Sequence, residues 1–318
     1  MNVVYLLVFI KVPTRMVVSY KLFSLYAVAQ DLLSAVIFAI TTPRLFATDF
    51  SFLYVAVGPA YHWKWTQLLL LLWTSTFMSS IVVVTNNFIF QYVQICKPNF
   101  AYIYTSPKWL LLLNAVNVAI VLNWAAVIYI SCWPEPDILA LARPGILNHY
   151  GIDITSMSYI GISLQTVSAS ELALYVECVV VTAAMACIGV RCAIGINRTL
   201  KENSMSSHTK KLHQQMFYLL LVEGVCPTLF LHVPLAVSTF LLFTGATTTP
   251  ILSLVIGVLL SSFNICCPLI TMIFMRDYRK FFLGLFGLRK IAPSPPTTHA
   301  TEWKTNPSQQ QPKAEEEL

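Results

Sequence analysis

The chain has 318 residues, 57% of them hydrophobic and only 11% charged. Soluble domains carry about 25% charged residues, so a fold of this size would have too few charges to cover a water-facing surface. That excludes a soluble enzyme, a disordered protein and a nucleic-acid binder. The net charge of +6 does not restore the nucleic-acid reading, because the basic residues flank apolar stretches.

A helix needs about 20 mostly apolar residues to cross a bilayer. The chain opens with an apolar stretch over 1–11 that is halted by Lys11, Pro13 and Arg15. About ten helical residues reach only ~15 Å. This stretch is therefore either a short re-entrant helix or the inner half of a first span whose beginning is missing. A cleavable leader is disfavoured, since the positive charge follows the apolar core instead of preceding it. Full spans are predicted near 20–40, 65–92, 109–130, 171–195, 214–243 and 250–275. They are apolar on all sides and lack the alternation of β-barrel strands, so an all-α membrane protein is expected.

The longest polar connection on one side, about 131–170, is long enough either to form a lid or to stay unstructured. After the last span, 277–288 carries aromatic and apolar residues at helical spacing beside basic ones, the pattern of a helix lying on the inner membrane surface. The membrane-spanning body is expected to end near 291. The stretch 292–318 is rich in Pro, Thr, Gln and Glu and reads as a disordered tail.

Lys and Arg accumulate on the cytoplasmic side of membrane proteins. Of the 20 in this chain, all but Arg44, Lys64 and Arg143 fall in connections that share one side. That side is predicted to be cytoplasmic. Six full spans with the C-terminus inside place the start of 20–40 inside too, and a completed first helix makes seven spans.

Ionisable groups inside hydrocarbon are costly and usually face the bundle interior. Asp31, Glu177 and Glu223 lie in spans, joined by His232, Asn264 and a set of asparagines that suits interhelical hydrogen bonds. Pro227 and Pro234 share one span and Pro268 lies in the last. Each removes a helical hydrogen bond and favours a kink. Kinked helices give a bundle two packings, between which a ligand can shift the population. Cys132 has no cysteine near the outer end of 65–92 to pair with, and no cysteine cluster has zinc-ligand spacing. No metal or other cofactor is expected.

Several stretches then combine. Phe88-Ile89-Phe90-Gln91-Tyr92 through Cys96-Lys97-Pro98 resembles the aromatic-Arg-Tyr…Cys-Arg-Pro end of the third helix in the str-type nematode seven-transmembrane chemoreceptors. Asn148-His149-Tyr150-Gly151 through Tyr159-Ile160-Gly161 is similar to the second outer loop of that family. His208 to Phe217, followed by Pro227 and Pro234, is similar to the entry into its sixth helix. Pro268-Leu269 and Arg276-Asp277-Tyr278-Arg279-Lys280 are similar to the end of its seventh.

The resemblance implies a seven-transmembrane bundle of the GPCR type with a truncated first helix, Asn2 matching an asparagine midway along that helix. It implies a chemosensory receptor of the plasma membrane, with a sensory-neuron cilium as a candidate place. Its partners would be a small-molecule ligand, a heterotrimeric G protein and membrane lipid, not nucleic acid. Two residues depart from the family pattern. Gln91 stands where an arginine is usual, and Cys267 where an aspartate often precedes the proline.

Trp73, Thr76, Tyr175, Glu177, His232 and Phe263 are candidate ligand contacts, chosen for depth and for polarity or aromaticity. Gln91, Tyr92, Lys97, Lys210, Lys211, Arg276, Tyr278 and Arg279 are candidates for the G-protein face. Pro227, Pro234 and Pro268 are candidate switch positions. The alternatives are a transporter or channel, which would need paired buried charges or broken helices in matching halves, and a non-signalling truncated receptor. No span carries a catalytic motif.

Overall fold

A computed structural model describes residues 18–202 and 207–274. The chain start, the inner-surface helix over 277–288, the tail over 292–318, and Arg276, Tyr278 and Arg279 lie outside the described residues, as does the side chain of Cys267. The longer described helices are α1 (Val18–Thr41), α2 (Thr66–Cys96), α3 (Pro107–Ser131), α4 (Pro136–Tyr150), α5 (Ala169–Glu202), α6 (Ser207–Pro227), α7 (Val233–Thr244) and α8 (Pro250–Phe274). A π turn, Thr228–His232, joins α6 to α7 in one membrane-length helix. Five helical stretches are long and apolar enough to cross a membrane, and α1 adds a shorter apolar run, Leu25–Thr41.

Helix α2 is the hub and packs against α1, α3, α5 and α6. Its most apolar window is 61% buried, against 17% for α3, so α2 faces helices where α3 faces lipid. Polar side chains tie these apolar cylinders together. Ser79 Oγ donates to Gln30 Oε1 at 2.8 Å, and Gln30 Nε2 donates to the Thr76 carbonyl at 3.1 Å, joining α1 to α2. Asn86 Nδ2 donates to Asn117 Oδ1 at 2.8 Å and joins α2 to α3. Without a hydrophobic drive between helices in lipid, such bonds and close packing set the arrangement.

The end poor in Lys and Arg is closed by a feature that span counting does not predict. Strands β1 (Pro43–Thr48), β2 (Ser51–Ala56) and β3 (Tyr159–Ser163) form an antiparallel sheet in the order β1-β2-β3. The connection over 131–170 is thus a folded lid of helix and strand. Phe46, Leu53 and Val55 pack with Ile138, Ala142 and Ile146 of α4, giving the lid a small core of its own. Hydrogen bonds fasten it to the bundle. Gln67 Nε2 donates to the Tyr159 carbonyl at 2.6 Å, the Thr248 N–H donates to the Ala47 carbonyl at 2.9 Å, and Tyr150 OH donates to the Thr248 carbonyl at 2.7 Å.

A charge cluster finishes the turn after α4. Asp153 accepts from the Thr155 hydroxyl and N–H and pairs with Arg143, Nη2 to Oδ2 at 3.1 Å. These bonds, the Thr155 hydroxyl first, hold its carboxyl down at about 2. A carboxyl whose pKa falls on folding adds stability above its unfolded value near 3.8, which is lost as pH drops toward about 2. Thr155→Ala is expected to return Asp153 toward the ordinary carboxylate range. An NMR titration of the carboxyl carbon checks this, and an unmoved pKa would remove Thr155 as the main cause.

Candidate functional site

Beneath the sheet lies a small cavity of about 50 Å³. Its roof is Phe52, Tyr54, Ile160 and Gly161, and its walls include Trp73 and Phe77 of α2, Trp124 of α3 and Tyr175 of α5. The aromatic rings pack in edge-on, tilted and stacked pairs. Tyr54 and Trp73 have centroids 5.5 Å apart, and Phe52 and Tyr175 6.1 Å. Phe77 stacks on Trp124 at 5.7 Å. Offset and edge-on contacts are the favoured geometry for aromatic pairs.

Most polar atoms here are already paired. Tyr54 OH and Ser238 Oγ share a hydrogen bond of 2.8 Å, and Tyr175 OH and Thr239 Oγ1 one of 3.0 Å. Trp124 differs, since its Nε1 donor is buried with no hydrogen-bond partner among the described residues. A buried unpaired donor is costly, and a bound acceptor atom would relieve it.

The structure brings only part of the predicted ligand set together. Trp73 and Tyr175 line the cavity. Thr76 is buried one turn deeper, its hydroxyl spent on the Trp73 carbonyl at 2.7 Å. Phe263 is buried in the surrounding core. Glu177 is exposed on the outside of α5, where Asn123 Nδ2 donates to its Oε1 at 3.3 Å. His232 lines a different groove, on the flank of the bundle. Sequence reasoning missed the roof. Phe52, Tyr54 and Ile160 lie in loops between spans, and the hairpin turn lacks the Asn-Gly or Asp-Gly signal of a two-residue hairpin. Asp49 and Phe50 take the required positive φ instead, 45° and 59°. The one clue was strand-forming residues in 51–56.

At the basic end, Gln91 is buried at 4% exposure, and its Nε2 makes a long 3.4 Å bond to the Met216 carbonyl of α6. Its Oε1 is buried without a partner among the described residues. Tyr92 packs its ring on Gly195, whose Cβ, if present, would come within 2.6 Å. Lys97 and Lys211 are exposed and Lys210 is half-buried. Of the three prolines, Pro227 ends α6 and opens the π turn, and Pro234 stands in the first turn of α7. The Val233 N–H there bonds the Thr228 carbonyl, five residues back, as the missing proline N–H groups shift the register. Pro268 is buried inside α8.

The profile of the family described as serpentine type 7TM GPCR chemoreceptor Str matches residues 1–283. Two curated relatives are similar, both described as serpentine receptor class r-10. The one from Caenorhabditis elegans is 28% identical over 171 residues, covering 51% of this chain and 50% of the relative. The one from Caenorhabditis briggsae is 23% identical over 232 residues, covering 67% of this chain and 65% of the relative. The matched part thus spans between half and two thirds of those relatives' length.

Proposed function

Because the chain belongs to the Str family of serpentine seven-transmembrane chemoreceptors, we propose that it binds a small, mostly apolar chemical cue beneath the sheet and signals to a heterotrimeric G protein. The observation that carries this reading is the aromatic cavity under a folded lid, with one unpaired donor, Trp124 Nε1, at its wall. Widened by movement of the lid away from the bundle, such a site suits a compact apolar molecule carrying one acceptor oxygen or nitrogen. Apolar walls supply affinity and a single polar group fixes orientation. Trp73 and Tyr175 are the primary contacts from the bundle, and Phe52 and Tyr54 from the lid. Thr76 and Phe263 support the wall from behind.

Signalling in this reading uses the opposite end. Gln91 ties α2 to the start of the α6 span through the Met216 carbonyl, and Tyr92, Lys97, Lys210 and Lys211 lie close to these two residues along the chain. These residues are the proposed G-protein contacts, and the family resemblance adds Arg276, Tyr278 and Arg279 to them. Pro227 and Pro234 bracket the π turn, which, with Pro268, is the place where the two packings differ. A receptor of this kind works in the plasma membrane, and a sensory-neuron cilium is the candidate location.

The test places the full chain with a Gα subunit in one membrane and follows nucleotide exchange across a chemically diverse panel. A cue from the panel is expected to raise exchange. Tyr175→Phe, which removes only a hydroxyl already bonded to Thr239, is expected to shift the response by less than tenfold, about the worth of one hydrogen bond. Gln91→Arg is expected to increase the maximal exchange. Exchange no greater than Gα alone, for wild type and Gln91→Arg alike, would refute the coupling. Unchanged intrinsic tryptophan fluorescence with every compound would refute the binding.

A further inference from the structure

A second cavity of about 450 Å³ lies between α2, α5 and the α6 span. It does not belong to the cavity beneath the lid and shares no lining residue with it. Its floor is Phe88 of α2 and Gly189 of α5, and its rim carries Val190, Val225 and Leu229. Those three rim residues are exposed at 59%, 59% and 45% on membrane-length helices. The groove therefore opens sideways into hydrocarbon rather than toward water.

Two features keep it open. The Phe88 ring tucks against Gly224, where an added Cβ would stand 2.8 Å from its Cε2, so the ring is drawn down instead of filling the groove. The π turn then displaces His232 relative to a regular helix. His232 lies on the groove wall. Its Nδ1 is 3.1 Å from the Pro227 carbonyl. A carbonyl only accepts, so Nδ1 carries the proton toward it, and a ring with one proton keeps a lone pair on Nε2. That Nε2 is buried and has no hydrogen-bond partner among the described residues.

We infer that this groove binds a membrane-dissolved hydrophobic alcohol, its hydrocarbon body lying along Phe88, Gly189 and Leu229 and its hydroxyl donating to His232 Nε2. The chemistry selects the occupant. An apolar groove open to the bilayer is filled from the bilayer, and the unpaired lone pair at its wall calls for a donor. An acyl tail would fill the space but leave Nε2 unsatisfied at a cost. An acceptor-only molecule would face it with like polarity.

The full chain is placed in phosphatidylcholine nanodiscs with tetradecanol carrying a mid-chain diazirine, or with the methyl ether of the same probe. After irradiation the labelled residues are mapped by mass spectrometry. The alcohol is expected to label the stretch 221–233 or 185–193 roughly tenfold more than the ether, the ratio one hydrogen bond supports. His232→Leu is expected to abolish that preference while leaving ether labelling unchanged. Gly189→Val, whose Cβ would meet Phe88 only at an ordinary 3.6 Å, is expected to lower labelling by both probes. Equal labelling by alcohol and ether would overturn the inference in favour of an acyl tail. A preference that survives His232→Leu, or labels confined to other helices, would overturn it as well. The probe comparison on the wild-type chain needs no variant, so a poorly folding variant does not blunt the test.

Discussion

Trp73→Ala is expected to destabilise the protein by roughly 3–5 kcal/mol, the range for emptying a buried large aromatic position. Trp73 is 6% exposed and sits on α2, whose apolar window has the largest buried share of the five membrane-length helices among the described residues. Its ring meets Tyr54 from the lid at 5.5 Å and Phe38 from α1 at 6.4 Å, so two other elements lean on one side chain of α2. The cavity beneath the sheet already adjoins this ring, so removing it would enlarge an existing void instead of letting neighbours collapse into place. Trp73→Phe keeps an aromatic edge for Tyr54 and is expected to preserve folding while weakening the response to any cue that binds under the lid. Thermal unfolding of both variants in one detergent separates the effects. An alanine variant that melts with the wild type would show that Trp73 does not support the core.

Gly161→Ala is expected to detach the lid. Gly161 pairs with Leu53 in the sheet and donates its N–H to the Cys132 carbonyl at 3.0 Å. A Cβ there would collide with the Phe52 carbonyl oxygen and stand 3.0 Å from the Leu53 Cα. Both are backbone atoms held in the ladder, so neither can rotate away and the strand must shift. Overpacking of this kind costs about 1–3 kcal/mol and more where backbone has to move. Cys132 is a free thiol at 2% exposure directly below. Its labelling by a bulky maleimide is expected to accelerate in Gly161→Ala and stay slow in Ile162→Val, which removes a methylene without intruding. Equal labelling rates in the two variants would show that the glycine is not what seats the strand.

These two positions differ in how far the sequence announces them. Trp73 is an aromatic residue deep in an apolar run, and helical periodicity with span depth is enough to nominate it. Tyr175 was found in the same way. Glu177 shows the limit of that reasoning. Its depth in the span matches a binding role, but helical phase turns it outward to Asn123. Depth is set by counting residues from the membrane edge, whereas facing depends on which neighbour the helix packs against. His232 was chosen for polarity at the right depth. The π turn and α5 place it beside another groove.

Gly161 and its partners in β1 and β2 could not be found by counting spans. A strand of five or six residues between helices carries little periodic signal, and its partners are distant in the chain, as in Val55 with Tyr159. Pairing energy appears only once both loops are brought to the same end of the bundle.

The sequence by itself determined that this is a membrane protein with a basic face and a helical body. The cost of burying charge and the length of a bilayer-crossing helix act residue by residue along the chain. Its ordered motifs also sufficed to place it in its receptor family. Tertiary structure alone decided that the loops fold into a hydrogen-bonded lid, which aromatic residues meet beneath it, and that His232 leaves that cavity for a groove of its own. Those outcomes depend on rotation about helix axes and on pairing between distant segments, which only the packed arrangement of the whole chain defines.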